Sequence, residues 1–328
     1  MNVKSYARIG AVAGIATLGL GLLTGPASAD PANLNYTLAG VGSDTTQDVM
    51  NALAADIDSG SLIGSWDALG SAKITTRDGG AEINRPNGSS AGITALNNDI
   101  DSGAGNLDFA RSSRGPADTV TSQDLTWIPY AQDAVSYAIR SGSGLPTNLT
   151  KAQLVSIYKC QTTSLNGISL TPLLPQAGSG TRSFFLGQLG LTEATGANPF
   201  GTCVDATVQE HNGEALDTAG DIAPYSVAQY YAQTTGAPGV VDRHGVTVLG
   251  SVDGVAPRNA DSTLNSSFPF KRDVYNVVPT NKLTAANIAR AFVGSGSQVC
   301  LDAFGEITTY GFGTASNCGD STGLRGEN

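Results

Sequence analysis

Pro175-Gln176-Ala177-Gly178-Ser179-Gly180-Thr181-Arg182-Ser183-Phe184-Phe185 alternates glycines with hydroxyls and then runs into an apolar stretch, Phe184-Phe185-Leu186-Gly187-Gln188-Leu189. The pattern predicts a loop that feeds the first turn of a helix. Such a turn carries backbone N–H groups without intrahelical partners and about half a positive charge. Glycines let that backbone approach a ligand, hydroxyls add donors, and Arg182 adds a charged one, so the stretch reads as an oxyanion cradle. It lacks the Gly-Lys-Ser/Thr ending of a nucleotide-binding P-loop. Taken alone, it reads first as an ordinary capped helix after a glycine-rich loop.

Working outward, similar junctions recur. Residues 34–42 predict a strand ending in a glycine turn, followed by Ser43-Asp44-Thr45 and a helix with Val49, Met50, Leu53 and Ile57 at helical spacing. Lys73–Arg77 reads as a strand. Asn87-Gly88-Ser89-Ser90-Ala91-Gly92 then opens a second helix through Ile93, Leu96 and Ile100. Asn106–Ala110 predicts a strand that ends at Arg111-Ser112-Ser113-Arg114, two arginines around a serine pair. Further strands are predicted at 134–139, preceded by Trp127-Ile128-Pro129-Tyr130, and at 170–174, 206–209, 246–249 and 273–278. Helices are predicted at 150–157, capped by Thr150, and at 283–293, capped by Thr284. Ile222–Tyr231 reads as a strand that turns at Pro224 into a helix. Strands alternating with helices give an α/β chain with mostly parallel sheets. In such sheets ligands bind beyond the carboxyl ends of the strands, where four of these hydroxyl-rich turns lie.

Composition sets bounds on this reading. The chain has 328 residues, 40% of them hydrophobic and 14% charged, with 41 glycines. That content fits one or two globular domains rich in loops, not disorder. Lys4 and Arg8, the apolar run Ile9–Leu23 and the small-x-small triplet Ala27-Ser28-Ala29 form a secretory signal peptide over residues 1–29, cleaved after Ala29. No cysteine stands at the cleavage site, which excludes a lipoprotein, and no later stretch is apolar enough to cross a membrane. The expected product is exported, without a membrane anchor. Loss of the leader leaves 16 basic against 28 acidic residues, a net charge of −12. Such a surface repels nucleic acid, so an anion must be held by local donors.

Cys160, Cys203, Cys300 and Cys318 form an even set in an exported chain and predict two disulfides among three possible connectivities. The simplest joins neighbours, Cys160 to Cys203 and Cys300 to Cys318. Their wide spacing, with only two histidines in the chain, argues against a metal site. No cofactor is indicated. His211 and His244 sit in no recognisable motif and read as surface or loop residues. Gly319-Asp320-Ser321-Thr322-Gly323 fits a Gly-x-Ser-x-Gly pattern, but a nucleophile elbow needs a strand before it and a helix after it. The chain is read as a binding protein and not an enzyme.

Five segments, in order, resemble the periplasmic phosphate-binding proteins of ABC transporters. They are Gly40–Thr45, Gly88–Gly92, Asp108–Ser113, Gly178–Thr181 and Ile222–Val227. The resemblance spans nearly all of the chain after the leader. It implies a type II periplasmic-binding-protein fold: two lobes, each a mostly parallel sheet flanked by helices, joined by two hinge crossovers. These crossovers are placed near Pro129–Val135 and Pro269–Val274, giving lobe 1 residues 30–132 plus 270–328 and lobe 2 residues 133–269. The Gly-Ser-Gly-Thr-Arg variant with added cysteines is similar to an actinobacterial branch. The resemblance also implies that Ser89, Ser179, Gly180 and Thr181 donate to inorganic phosphate, with further contacts from Ser43, Asp44 and Thr45. The partners it implies are phosphate and an ABC permease, with the chain a monomer.

Two positions depart from the family pattern. Pro175 stands where the family has an arginine. Ser113 stands where the family has an aspartate that takes the proton of phosphate and repels sulfate. Arg111, Arg114 or Arg182 is expected to supply the missing charge as a bidentate fork, and Asp44 the missing acceptor. The departures keep open another oxyanion, such as sulfate, molybdate or a phosphorylated small molecule. The missing lipid anchor keeps open an extracellular interaction or signalling role that retains the fold without transport.

Overall fold

A computed structural model describes residues 30–32, 34–191 and 199–328. The predicted leader lies outside them. Among the described residues one 11-stranded sheet organises the chain. Its strands are β1 (Leu38–Gly42), β2 (Ile63–Ser65), β3 (Phe109–Ser112), β4 (Leu125–Arg140), β5 (Thr171–Pro175), β6 (Asp205–Val208), β7 (Asp221–Ser226), β8 (Thr247–Leu249), β9 (Lys271–Pro279), β10 (Gly313–Thr314) and β11 (Leu324–Gly326). The main path runs β6-β5-β7-β4-β9-β3-β1-β2, with β8, β10 and β11 paired to β4. The outer strands are parallel: β1 with β2 and β3, and β5 with β6 and β7. At the centre, β4 runs antiparallel to both β7 and β9.

The 16-residue β4 belongs to both halves of the molecule. Its first part pairs with β9 from Leu125↔Pro279 to Ala134↔Lys271, and its last part pairs with β7 from Val135 to Ile139. The register with β9 shifts where Val274 faces Ala131 and Tyr275 faces Pro129. Pro129 lacks an N–H, and proline inside a sheet is found at such irregularities. The strand therefore continues through the proline instead of breaking there.

Strands of a parallel sheet are covered on both faces, so they bury every residue. β1 does so throughout, with Leu38 in one apolar cluster and Ala39 and Val41 in another. Helix α1 (Gln47–Asp56) supplies Val49, Met50 and Leu53 to the first cluster, and α2 (Ser89–Ser102) supplies Ile93 and Leu96 to the second. In the other half, α3 (Lys151–Tyr158) and α4 (Gly180–Gln188) pack Leu154, Tyr158, Phe185 and Leu186 around Tyr137, Leu174 and Phe270. Phe185 meets Tyr158 edge-on at 5.1 Å and is fully buried, which contributes on the order of 2–3 kcal/mol. Helix α5 (Val227–Thr235) serves both halves, because Val227 packs in the second-half cluster while Ala228 and Ala232 join Ile288 of α6 (Ala286–Phe292) and Phe312 in the first.

Several local expectations shift. Pro224 lies inside β7, opposite Tyr137, because its fixed φ suits extended backbone. The turn into α5 comes at Ser226, whose Oγ accepts from Gln229 N–H. Thr46, not Ser43–Thr45, precedes α1, and it makes no side-chain cap. Helix α6 begins after Ala285, so Thr284 does not cap it. Thr150 caps α3 in a reciprocal capping box with Gln153. The cysteines pair as Cys160–Cys203 and Cys300–Cys318.

Candidate functional site

The carboxyl ends of β1, β3 and β5 converge on one buried cluster of hydroxyls. Gly42 ends β1 with φ +124°, and a Cβ there would lie 2.7 Å from the Arg111 carbonyl oxygen. Only glycine permits this turn. It delivers Ser43, Asp44 and Thr45 inward, all essentially without exposure. Thr45 Oγ1 lies 3.1 Å from Thr181 Oγ1, 3.3 Å from Ser113 Oγ, 3.0 Å from Glu210 Oε1, 3.0 Å from His211 Nε2 and 3.4 Å from Arg272 Nη2. A hydroxyl has one proton and two lone pairs, so it cannot satisfy five partners at once. The five groups therefore compete for one hydroxyl.

Two helix N-termini meet across this cluster. Ser89, the first residue of α2, accepts from Ser113 N–H at 3.0 Å, with its Oγ 3.3 Å from Ser113 Oγ. Opposite stands the start of α4. There Ser90 N–H donates to the Gly178 carbonyl at 3.1 Å, and a Cβ on Gly180 would lie 2.3 Å from both Ser113 Oγ and Ser89 Oγ. Side chains are thus excluded at Gly180 by contact. Ser179 Oγ caps α4 by accepting from Arg182 N–H at 3.0 Å, so its hydroxyl serves the helix. Both macrodipoles direct positive potential at the hydroxyls.

The guanidinium that reaches the cluster is that of Arg272, on β9. Its Nη2 donates to Thr181 Oγ1 at 2.9 Å and to Asp133 Oδ2 at 2.8 Å. Its Nε donates to the same Asp133 oxygen at 3.1 Å, and its Nη1 to the Ser113 carbonyl at 3.0 Å. The arginines singled out in the sequence go elsewhere. Arg111 is buried but turns into the first half, donating to Ser65 Oγ at 2.8 Å and the Trp66 carbonyl at 2.7 Å; burial lowers its pKa. Arg114 binds the Gly115 carbonyl, Ser90 Oγ and Asn328, and burial brings it down to about 10. Arg182 donates to the carbonyls of Pro175 and Ala206 and lies over the Phe200 ring.

Three side chains of this cluster were not among the candidate site residues of the sequence. Besides Arg272 they are Glu210 and His211, in the segment after β6. Glu210 is fully buried, with Oε1 accepting from Thr45 Oγ1 at 3.0 Å and Thr181 N–H at 3.3 Å. Burial pushes its pKa up, but contact with His211, the Thr181 hydrogen bond and the Arg272 charge outweigh it and hold the carboxyl down at about 2. Its Oε2 is buried without a hydrogen-bond partner. His211 is buried, not a surface residue, and has φ +55°, in the left-handed region. Ser226 N–H donates to its Nδ1 at 3.3 Å, which leaves the neutral ring's proton on Nε2. Nε2 then donates to Thr45 Oγ1. Asp44 faces the same segment, accepting from Gln209 Nε2 at 3.2 Å with Arg243 at 3.6 Å; burial raises its pKa. Gln209-Glu210-His211-Asn212 is a plain polar run, and Lys271-Arg272-Asp273 looks like a solvated charge run. Neither carries a motif.

No family model and no curated protein matches the chain. Solved structures do. An ABC-type phosphate transport receptor from Vibrio cholerae superposes with a TM-score of 0.57 at 18% identity, covering 85% of this chain and 100% of that one. A putative phosphate ABC transporter substrate-binding protein with bound phosphate from Clostridium perfringens superposes with a TM-score of 0.60 at 18% identity, covering 85% and 99%. The chain has the two-lobed fold of periplasmic binding proteins, with its hydroxyl cluster at the facing helix ends.

Proposed function

We propose that the chain is a secreted solute-binding protein that captures inorganic phosphate between its two lobes for ABC-type uptake. The observation that carries this reading is the convergence of the Thr45, Ser89, Ser113 and Thr181 hydroxyls between two helix N-termini, with the Arg272 guanidinium on Thr45 and Thr181. A desolvated tetrahedral oxyanion takes many short charge-assisted hydrogen bonds, and this set offers hydroxyl donors, a fork and helix dipoles at one place. Lobe 1 comprises residues 30–132 plus 270–328 and lobe 2 residues 133–269, after a leader cleaved behind Ala29. Ser43, Asp44 and Gly180 shape the cradle, and Arg111, Arg114, Ser179 and Arg182 hold its loops. The phosphate receptor likeness of the two superposed structures supports the ligand and the transport role. A monomer without a membrane anchor, delivering to a permease and related to the actinobacterial branch, completes the reading.

Hydrolysis fits the site poorly. Of the two side chains placed to take the Thr45 proton, Glu210 accepts from that hydroxyl but has its carboxyl held down at about 2, which makes it a weak base. The other, His211, presents its Nε2 proton, because Ser226 N–H occupies Nδ1. Ser321 sits in the loop between β10 and β11, and among the described residues it leads into the strand β11 instead of a helix. Calorimetric titration with phosphate, sulfate and molybdate at two pH values tests the proposal. Phosphate binding is the expected result, and absence of binding by all three overturns it. Sulfate binding as tight as phosphate would favour the alternative of a general oxyanion receptor. If Asp44→Asn leaves phosphate-over-sulfate selectivity unchanged, Asp44 is not the acceptor for the phosphate proton.

A further inference from the structure

Glu210 does to the hydroxyl cluster what an external anion would do. Its Oε1 accepts from Thr45 Oγ1 and from the Thr181 N–H at the start of α4, and lies 3.3 Å from His211 Nε2. The carboxylate therefore holds donors of the proposed phosphate cradle from inside the chain. The segment that carries it is fixed on its own half, where Tyr225 Oη and Gln233 Nε2 donate to the His211 carbonyl at 2.7 and 3.1 Å. From there it reaches across to the other half. Gln209 donates to Asp44 and accepts from Asn87 Nδ2 at 3.0 Å, while Glu210 and His211 engage Thr45.

We propose that Glu210 is a built-in ligand of the cleft: its carboxylate fills donor positions of the anion site, holds the two lobes together, and is displaced when an oxyanion binds. Two anions cannot share one desolvated cradle without strong repulsion. A tethered carboxylate also competes at an effective concentration on the order of millimolar or more, which weakens capture of any free anion. Oε2 has no partner, so the carboxylate is held through one oxygen and has fewer bonds to break on leaving. The left-handed backbone of His211 next to it is strained and is kept in place by the contacts of this segment.

The competition half of this inference rests on the phosphate reading; the closure half does not. Wild type, Glu210→Gln and Glu210→Ala are dialysed free of anions other than chloride, titrated calorimetrically with inorganic phosphate, and compared by small-angle X-ray scattering. Both variants are expected to bind phosphate roughly tenfold tighter or more, the gain from removing a competing charge. Wild type is expected to be compact without phosphate and unchanged by it, whereas Glu210→Ala is expanded and compacts when phosphate is added. Equal or weaker phosphate binding by both variants overturns the inference, as does a Glu210→Ala protein as compact as wild type without phosphate. If no form binds phosphate, the functional proposal falls and the scattering comparison alone decides the closure claim. Glu210→Gln keeps the shape and one acceptor oxygen, so it carries the titration if Glu210→Ala does not fold.

Discussion

Arg272 on β9 and Asp133 on β4 form a buried ion pair at 2.8 Å, placed where β9 lies beside β4, the strand that belongs to both halves. Asp133 also accepts from Ala228 N–H in the first turn of α5, and Arg272 reaches Ser113 and Thr181. One pair thus ties the central strands, a helix start and both walls of the cleft.

Removing one member of a buried pair leaves an uncompensated charge. Arg272→Ala should lower stability by about 3–5 kcal/mol in urea denaturation and abolish phosphate binding. Replacing both members, as Arg272→Met with Asp133→Asn, should recover most of the stability but none of the binding. Recovery of binding by the double variant would remove Arg272 from the site.

Gly180 separates closure from hydrogen bonding. Alanine there adds no charge and removes no donor, but its Cβ would lie 2.3 Å from the Ser89 and Ser113 hydroxyl oxygens. Gly180→Ala should therefore weaken phosphate binding more than Ser89→Ala. The latter loses one hydrogen bond to a charged ligand, about 1.5–3 kcal/mol, together with the bond that Ser113 N–H donates to Ser89 Oγ. Isothermal titration of the two variants compares them directly.

Asp48 gives the fold a pH dependence opposite to ordinary acid denaturation. Burial, with Asp44 and Asp67 nearby, raises its pKa from 3.8 to about 6, despite hydrogen bonds from Gln229 and Gln47. The folded state then holds a proton that the unfolded state releases, so stability falls as pH rises from about 4 to about 6, by on the order of 3 kcal/mol. Glu210, held down at about 2, contributes stability that is lost as pH falls below its usual range. Thermal melts of wild type and Asp48→Asn should diverge across that window, with the variant the more stable above pH 6. Parallel curves would show that Asp48 does not titrate there.

The disulfides close loops of unequal length, with sequence separations of 43 and 18. In the chain-entropy description the longer one stabilises by about 4 kcal/mol and the shorter by about 3. The longer loop also contains β5, α4 and the Gly178–Thr181 turn. Cys160→Ser with Cys203→Ser should lower both the melting temperature and phosphate affinity. Cys300→Ser with Cys318→Ser should lower the melting temperature alone.

Much of the frame was legible because it is written locally. Helical spacing located α1 and α2, the Thr150 cap located α3, and glycine–hydroxyl turns marked the strand ends that build the cleft. The charge of the site was not legible, because its position depends on pairing between distant segments. Arg272 acquires its role only when β9 lies against β4, placing it beside Asp133, 139 positions away. Arg111 had the right type in the right turn, yet Ser65 and the Trp66 carbonyl draw its guanidinium inward. At Pro175 the chain offers a backbone carbonyl, and Arg182 is its donor, so the residue lacking a charge anchors one instead.

The shared strand β4 also sets an order of events in folding. Its residues 125–134 find their ladder partners in 271–279. Until that late segment is made, the sheet of the first half lacks its link to β4. The second half can form β4–β7 contacts earlier, but the Arg272–Asp133 pair and the floor of the cleft must wait. Such long-range pairing is slow and completes late. The proposed anion site is therefore among the last parts of the molecule to exist, and an incompletely made chain has two partial sheets and no cleft between them.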